Sequence, residues 1–456
     1  MLRRGAPGAP GAPCAGQELV KHAGVEQRRG RQWRAVRGGG RRVSAAPGRP
    51  PSGRAGAPRM RPWRFVMAFG TVSLLMDFVY EGARSVTGPL LASLGASALA
   101  VGVVTGVGEA AALVLRLVSG PLADRTRRFW AWTVAGYALT VATVPFLGLA
   151  GTLGVASALV IAERVGKAVR SPAKDTLLSH ATAATGRGRG FAVHEAMDQV
   201  GALIGPLTVA AVLAATGGDY APALGVLAAP GVIALALLVR LRLRVPDPAG
   251  YEPTDSPEPA DSPQPADSRP GAAANRPLPH AFWLYAGFTA ATLCGFATFG
   301  VLSFHVVERH LLSTAAVPVL YAAAMAADAV AALATGWAYD RYGARTLAVL
   351  PVLAAAVPAL AFTDTLAAVV AGALLWGAAM GVQESTLRAT VADLVPPGRR
   401  ATAYGLFAAV AGAATLAGGV LAGALYAYSI PVLITVTVAI QAGALLLLAL
   451  GRPRRG

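Results

Sequence analysis

The chain has 456 residues, 55% of them apolar and only 14% charged, with a net charge of +17. The apolar residues lie in separate runs of roughly twenty, the length that crosses a bilayer core as a helix. This excludes a soluble enzyme or binding module, and the lack of period-two polarity in runs such as AGALLLLAL excludes a membrane β-barrel.

Residues 1–59 carry 13 Lys and Arg against 2 Glu, so most of the basic excess sits in a tail rich in Gly, Pro, Ala and Arg. Such a segment buries no core and is expected to be disordered. No apolar stretch in it makes a signal peptide. It reads as a basic arm on anionic lipid, as an orienting charge, or as an extension upstream of a start at Met60. Because the charge is concentrated there, nucleic acid is not an expected partner.

Twelve apolar runs follow, near 64–92, 98–120, 129–150, 153–173, 190–215, 220–240, 281–304, 315–337, 344–362, 366–388, 401–425 and 428–450. The expected architecture is all-α and integral to the membrane, with a six-helix bundle over 60–240 and a second over 280–450. Between them, 241–279 reads as a disordered Pro/Ser/Ala-rich linker, and 451–456 as a short basic tail. The arginines fall in alternate loops, including Arg125, Arg127 and Arg128, Arg240, Arg242 and Arg244, and Arg341 and Arg345. The positive-inside rule then places both termini and the linker in the cytoplasm, and the protein in the cytoplasmic membrane.

Ionisable residues within the spans are costly and mark function. In the first span Asp77, Glu81 and Arg84 share one helical face, and the second adds Glu109 near mid-depth. Burial disfavours the ionised form of a carboxylate and a nearby cation favours it, so such a group can be poised to move a proton. Glu109, Asp77 and Glu81 are the proton-coupling candidates. For Asp77 and Glu81 a fixed ion pair with Arg84 is the alternative, whereas Glu109 has no cation within a turn on its own helix. In spans four and five, ERVGKAVRSPAKD and FAVHEAMDQ supply Glu163, Arg164, Lys167, Arg170, His194, Glu195 and Asp198. These read as a gating network of ion pairs, with Arg164 or Lys167 also open to an anionic substrate. The second half offers Asp328, Glu384 and Arg388, among aromatics such as Phe299, Tyr321 and Trp376.

Span five also contains Gly201, Gly205 and Pro206, small residues four apart followed by a helix-kinking proline. Between spans two and three stands SGPLADRTRRF, and TGWAYDRYGART occupies the corresponding place in the second half. This paired block resembles the loop signature of the major facilitator superfamily, over roughly residues 60–450. Gly120, Asp124, Arg125 and Arg128 match in the first copy, where Arg127 stands at the family's usual glycine, and Gly336, Asp340, Arg341, Gly343 and Arg345 match in the second. The resemblance implies two pseudo-symmetric halves around a central cavity, with the paired block as a cytoplasmic latch; a cluster that merely orients the chain is the alternative. The Gly201–Pro206 stretch is similar to the signature of proton-coupled exporters, with Val209 and Ala210 in place of its closing glycines. The charged stretches of spans four, five and ten resemble a bacterial branch of undefined substrate.

No phosphate-cradling loop, metal-ligand cluster or nucleophile constellation is visible in the sequence, so no cofactor and no enzymatic activity is expected. The expected function is secondary active transport, as proton-coupled export of a small organic compound by alternating access, by a monomer as is usual in that family. Import by symport or uniport, and a receptor or scaffold on a transporter fold, are the alternatives.

Overall fold

A computed structural model describes residues 60–185, 187–251, 278–395 and 400–450. The tail 1–59, most of the linker and the tail 451–456 lie outside these. The described residues form helices α1 (Pro62–Ser93), α2 (Ala98–Val114), α3 (Arg116–Thr126), α4 (Phe129–Leu147), α5 (Leu153–Thr185), α6 (Arg187–Ala215), α7 (Tyr220–Gly225) and α8 (Ala228–Arg244). They continue as α9 (His280–Cys294), α10 (Phe299–Glu308), α11 (Val317–Tyr342), α12 (Val349–Ala361), α13 (Leu366–Leu394), α14 (Arg400–Tyr428) and α15 (Ile430–Leu450), with no strand among them.

Among the described residues, 10 segments are long and apolar enough to cross a membrane. Two of the expected spans do not emerge separately, for physical reasons. Residues Val317–Ala361 count as one segment because a 3₁₀ turn, Gly343–Ala348, links α11 directly to α12 with no non-helical residue between them. The expected start at 344 therefore moves to Val349. The expected span 153–173 lies within α5, whose Glu163, Arg164, Lys167, Arg170 and Lys174 lower its hydropathy.

Several spans are broken helices. The run expected at 281–304 splits into α9 and α10 around Gly295. Backbone groups freed inside a bilayer need partners. Here Trp376 Nε1 donates to the Ala297 carbonyl (2.9 Å) and Gln441 Nε2 to the Thr292 carbonyl (3.0 Å). The linker reading also needs a correction, because its first residues are ordered through 251. Tyr251 buries its ring 5.6 Å from that of Phe65 and donates to the Met60 carbonyl (2.8 Å), while Trp130 Nε1 donates to Pro246 O (3.1 Å). Aromatic docking outweighs the local Pro and Asp content, and burial pushes the Tyr251 phenol up to about 12.

Packing relies on close backbone approach. Gly201 and Gly205 set α6 directly against the Leu74 and Phe78 carbonyls of α1, so this stretch has a packing role. Gly102 of α2 lies on the carbonyl of Gly419 in α14, and Gly88 of α1 on Gly300 and Ser303 of α10. These contacts lie toward the end of the bundle opposite the arginine-rich loops. There Thr105 and Thr298 also share a hydrogen bond (3.0 Å), and Phe304 of α10 joins a core otherwise built from α1, α2 and α4–α7. At the arginine-rich end a β-carbon on Gly336 would meet open space, and one on Gly120 only ordinary contact with Pro172 (3.8 Å).

Arg127 adopts φ 50° and ψ 20°, the left-handed region, to end α3. An L side chain there costs ~1–2 kcal/mol that glycine escapes. Arg127→Gly should therefore raise stability by about 1 kcal/mol, read as a higher unfolding midpoint in detergent, whereas Arg125→Gly, in regular helix, should lower it. Gly102→Leu should cost ~1–3 kcal/mol by overpacking α2 on α14, and Gly336→Ala should shift the same midpoint by less than about 0.5 kcal/mol.

Candidate functional site

Four helices bring their charges together inside the bundle. On α1, Asp77, Glu81 and Arg84 lie at spacings of four and three, and α5 places Glu163, Lys167, Arg170 and Lys174 at three- and four-residue intervals on one face. Because α1 packs on α5 and α6, and α2 on α5, these faces meet.

The centre is Glu109 of α2. Its Oε1 pairs ionically with Arg84 Nη2 at 3.0 Å and with Arg164 Nη1 at 3.3 Å, so two guanidiniums from different helices hold one carboxylate. The cations missing from its own helix come through space. Arg84 also reaches Glu81 (3.8 Å), as the ion-pair alternative anticipated, and Arg164 reaches Glu163 (3.4 Å). Tyr321 of α11 donates to Glu81, tying the second half to this centre. Arg164 and Lys167 stack on the Tyr80 ring at 4.5 and 4.0 Å. Deeper toward the arginine-rich end, Arg170 lies 4.7 Å over the Tyr137 ring and donates to Thr140 (3.4 Å).

The ladder ends in a second cluster. Lys174 Nζ donates to Ser73 Oγ (3.3 Å) and His194 Nε2 (3.2 Å) and pairs with Asp198 (3.6 Å). Asp77 lies in the field of Asp198, Lys174 and Arg170, yet has neither ion pair nor hydrogen bond among the described residues. Lys174 was missed at the sequence level, although it continues the Lys167–Arg170 face. Tyr80 and Tyr137 were missed because aromatic residues in a membrane helix are ordinarily packing.

On the opposite wall, Asp328 of α11 is only 3% exposed, with one carboxylate oxygen unpartnered and Gln199 of α6 beside it. Glu384 of α13 is exposed, as is Glu195 of α6. The side chain of Arg388 lies outside those described. In the paired block, Asp124, Arg125, Arg128, Asp340, Arg341 and Arg345 are all exposed, and none forms an ion pair among the described residues. Arg341 sits over the rings of Trp337 (5.9 Å) and Tyr342 (5.8 Å), and Gly343 turns the chain at φ 61°.

A model of the Major Facilitator Superfamily matches residues 66–327 and 310–456. The chain belongs to the major facilitator superfamily. It is therefore a multi-pass membrane protein and a secondary transporter rather than an enzyme. The chain is 65% identical over 398 residues to the "Uncharacterized protein Rv2265" of Mycobacterium tuberculosis, covering 87% of this chain and 95% of that one. The solved structure of the nucleoside transporter NupG is similar in fold, with a TM-score of 0.61 at 14% identity over 85% of this chain and 98% of that one. A POT family transporter in complex with 5-aminolevulinic acid superposes with a TM-score of 0.64, also at 14% identity, covering 88% of this chain and 98% of that one.

Removing one partner from a buried ion pair strands the others. Glu109→Ala, which leaves both Arg84 and Arg164 without their shared anion, should cost about 3 kcal/mol. Glu195→Ala, at an exposed carboxylate, should cost less than about 1 kcal/mol. Thermal unfolding of the purified proteins in one detergent checks the contrast; equal losses would contradict a central role for Glu109 in the ion-pair network.

Proposed function

We propose that this facilitator-superfamily transporter exports a small organic compound in exchange for protons. Two halves, residues 60–240 and 280–450 with twelve spans between them, rock about the charged centre in the cytoplasmic membrane, with both termini and the arginine-rich end on the cytoplasmic side. The observation that carries this reading is Asp77. Among the described residues it is the carboxylate of the ladder that no ion pair fixes, so it can take up and release a proton without breaking one, and Asp198, Lys174 and Arg170 feel the change.

Each other group has a task in the cycle. Glu109 anchors Arg84 and Arg164, so its charge is committed to holding α1, α2 and α5 together. Glu81, bonded to Tyr321 across the halves, couples motion of α11 to the first half. Protonation of Asp77 weakens its attraction for Lys174 and Arg170, and these cations then pull harder on Asp198. The glycine contacts at the opposite end support a state closed there, while the exposed Asp124 and Asp340 blocks support one open toward the arginines. In the reverse state the paired blocks close as a latch. The Gly201–Pro206 resemblance to exporters favours antiport, alongside the packing role those residues already have. A monomer suffices, because both halves of the pathway lie in one chain.

Acid-loaded inside-out vesicles, followed with a pH-sensitive dye while a panel of small organic compounds is added, test the proposal. Wild type should release protons with at least one compound. Asp77→Asn should abolish that release while retaining exchange of the same compound without a gradient, because binding is intact and coupling is lost. Compound-dependent release at the wild-type rate in Asp77→Asn would overturn the assignment.

A further inference from the structure

Beside the Arg84–Glu109–Arg164 centre, α1, α4 and α5 wall a small cavity that the proton-coupled cycle leaves without a task. Its polar lining is Tyr80, Arg84 and Thr87 from α1, Thr143 from α4, and Glu163 and Arg164 from α5. Three of these side chains belong to residues more than nine-tenths buried and present an atom with no hydrogen-bond partner among the described residues: Tyr80 Oη, Glu163 Oε1 and Arg164 Nη1. Their other contacts leave those atoms over. Arg164 and Lys167 hold the Tyr80 ring by its face and do not engage its hydroxyl. Glu163 spends Oε2 on Arg164 Nε (3.4 Å) and keeps Oε1 bare. Arg164 Nη1 lies 3.3 Å from Glu109, an ion-pair distance without hydrogen-bond alignment. Three bare polar groups around one buried cavity are expensive unless a single occupant serves them all.

The chemistry of the lining selects that occupant. A guanidinium nitrogen only donates, a carboxylate oxygen only accepts, and a phenol hydroxyl does either. Thr87 and Thr143 spend their hydroxyl protons on the Ala83 and Leu139 carbonyls (3.0 and 2.8 Å), so they too have only lone pairs left to offer. A cation would meet the Arg84 and Arg164 guanidiniums, and an anion the bare carboxylate oxygen of Glu163. What matches is a neutral molecule that accepts and donates at once. The free volume of about 10 Å³ takes a single water.

We infer that this cavity is a water site, in which one water accepts from Arg164 Nη1 and Tyr80 Oη and donates to Glu163 Oε1 and to the hydroxyl oxygen of Thr87 or Thr143. Two donors and two acceptors complete the four hydrogen bonds a water can make. The water gives Arg164 a second partner beside Glu109. It also ties Tyr80 of α1 to Glu163 of α5, so these helices move as one body around the ion pair. The site stands whatever the cargo and the coupling ion are.

X-ray radiolysis of the full-length protein in detergent and ¹⁸O-labelled water tests the site, because hydroxyl radicals formed from a bound water oxidise the side chains that touch it even where bulk solvent does not reach. Tyr80 should take up ¹⁸O, whereas Phe288, equally buried in the core of the second half, should stay unlabelled. Ala83→Val, which fills the cavity from α1, should bring Tyr80 down to the level of Phe288. A second readout covers the case in which that variant misfolds. Tyr80→Phe and Glu163→Gln should each lower the thermal midpoint, and the double variant should lower it by less than the two shifts together, because both lose the same water. An unlabelled Tyr80 in wild type, undiminished labelling in folded Ala83→Val, or midpoint shifts that simply add would each overturn the inference.

Discussion

Everything in this protein depends on how it keeps charge inside an apolar bundle. A charged side chain at mid-membrane costs at least ~2.5–3.5 kcal/mol, so charges there have to be shared between helices. Glu109 between Arg84 and Arg164 meets that constraint with groups from α1, α2 and α5. The same pairing fixes which faces turn inward. Once Arg84 and Arg164 meet on Glu109, Asp77 and Lys167 are committed to the interior too, because they lie two helical turns or less along the same faces.

The rest of the fold serves helices that have to pack closely and still move. Glycine-on-carbonyl contacts such as Gly102 on Gly419 make tight seats without interlocking side chains, which suits surfaces that separate and rejoin. The interruption between α9 and α10 has a similar logic. Its freed carbonyls are taken up by Trp376 and Gln441, so the break is stable in a medium with no water to satisfy it. At the arginine-rich end the paired blocks lie exposed, and Arg127 in the first and Gly343 in the second have backbone geometry that favours glycine.

Hydropathy made the fold class legible, because a helix that must cross lipid announces itself by length and apolar content alone. It failed where the local rule and the three-dimensional role diverge. The span at 153–173 is charged because it faces other charges, and the 3₁₀ turn Gly343–Ala348 runs on into the next helix although it carries Arg345, so neither looked in sequence as it does in place. Candidate residues of the site were legible as ionisable groups in greasy runs, but their partners were not. Glu109 read as a carboxylate without a neighbouring cation because its arginines are 25 and 55 positions away, and only the packing of α1 and α5 brings them in. For Asp77 and Glu81 a pair with Arg84 was the alternative to proton coupling, and it is Glu81 that makes the pair, while Asp77 has none among the described residues. The docking of Tyr251 on Phe65 was invisible for the same reason, since proline and aspartate dominate the local signal while a distant aromatic decides the outcome.

In the proposed cycle the charge state of Asp77 sets which end of the bundle is open. Spin labels at Thr126→Cys and Tyr342→Cys, with Cys14 and Cys294 replaced, report the separation of the paired blocks in liposomes. Two separations are expected, with populations that shift between acid and alkaline buffer, and in Asp77→Asn a distribution that no longer responds to pH. A single separation that ignores pH in wild type, or an undiminished shift in Asp77→Asn, would contradict it.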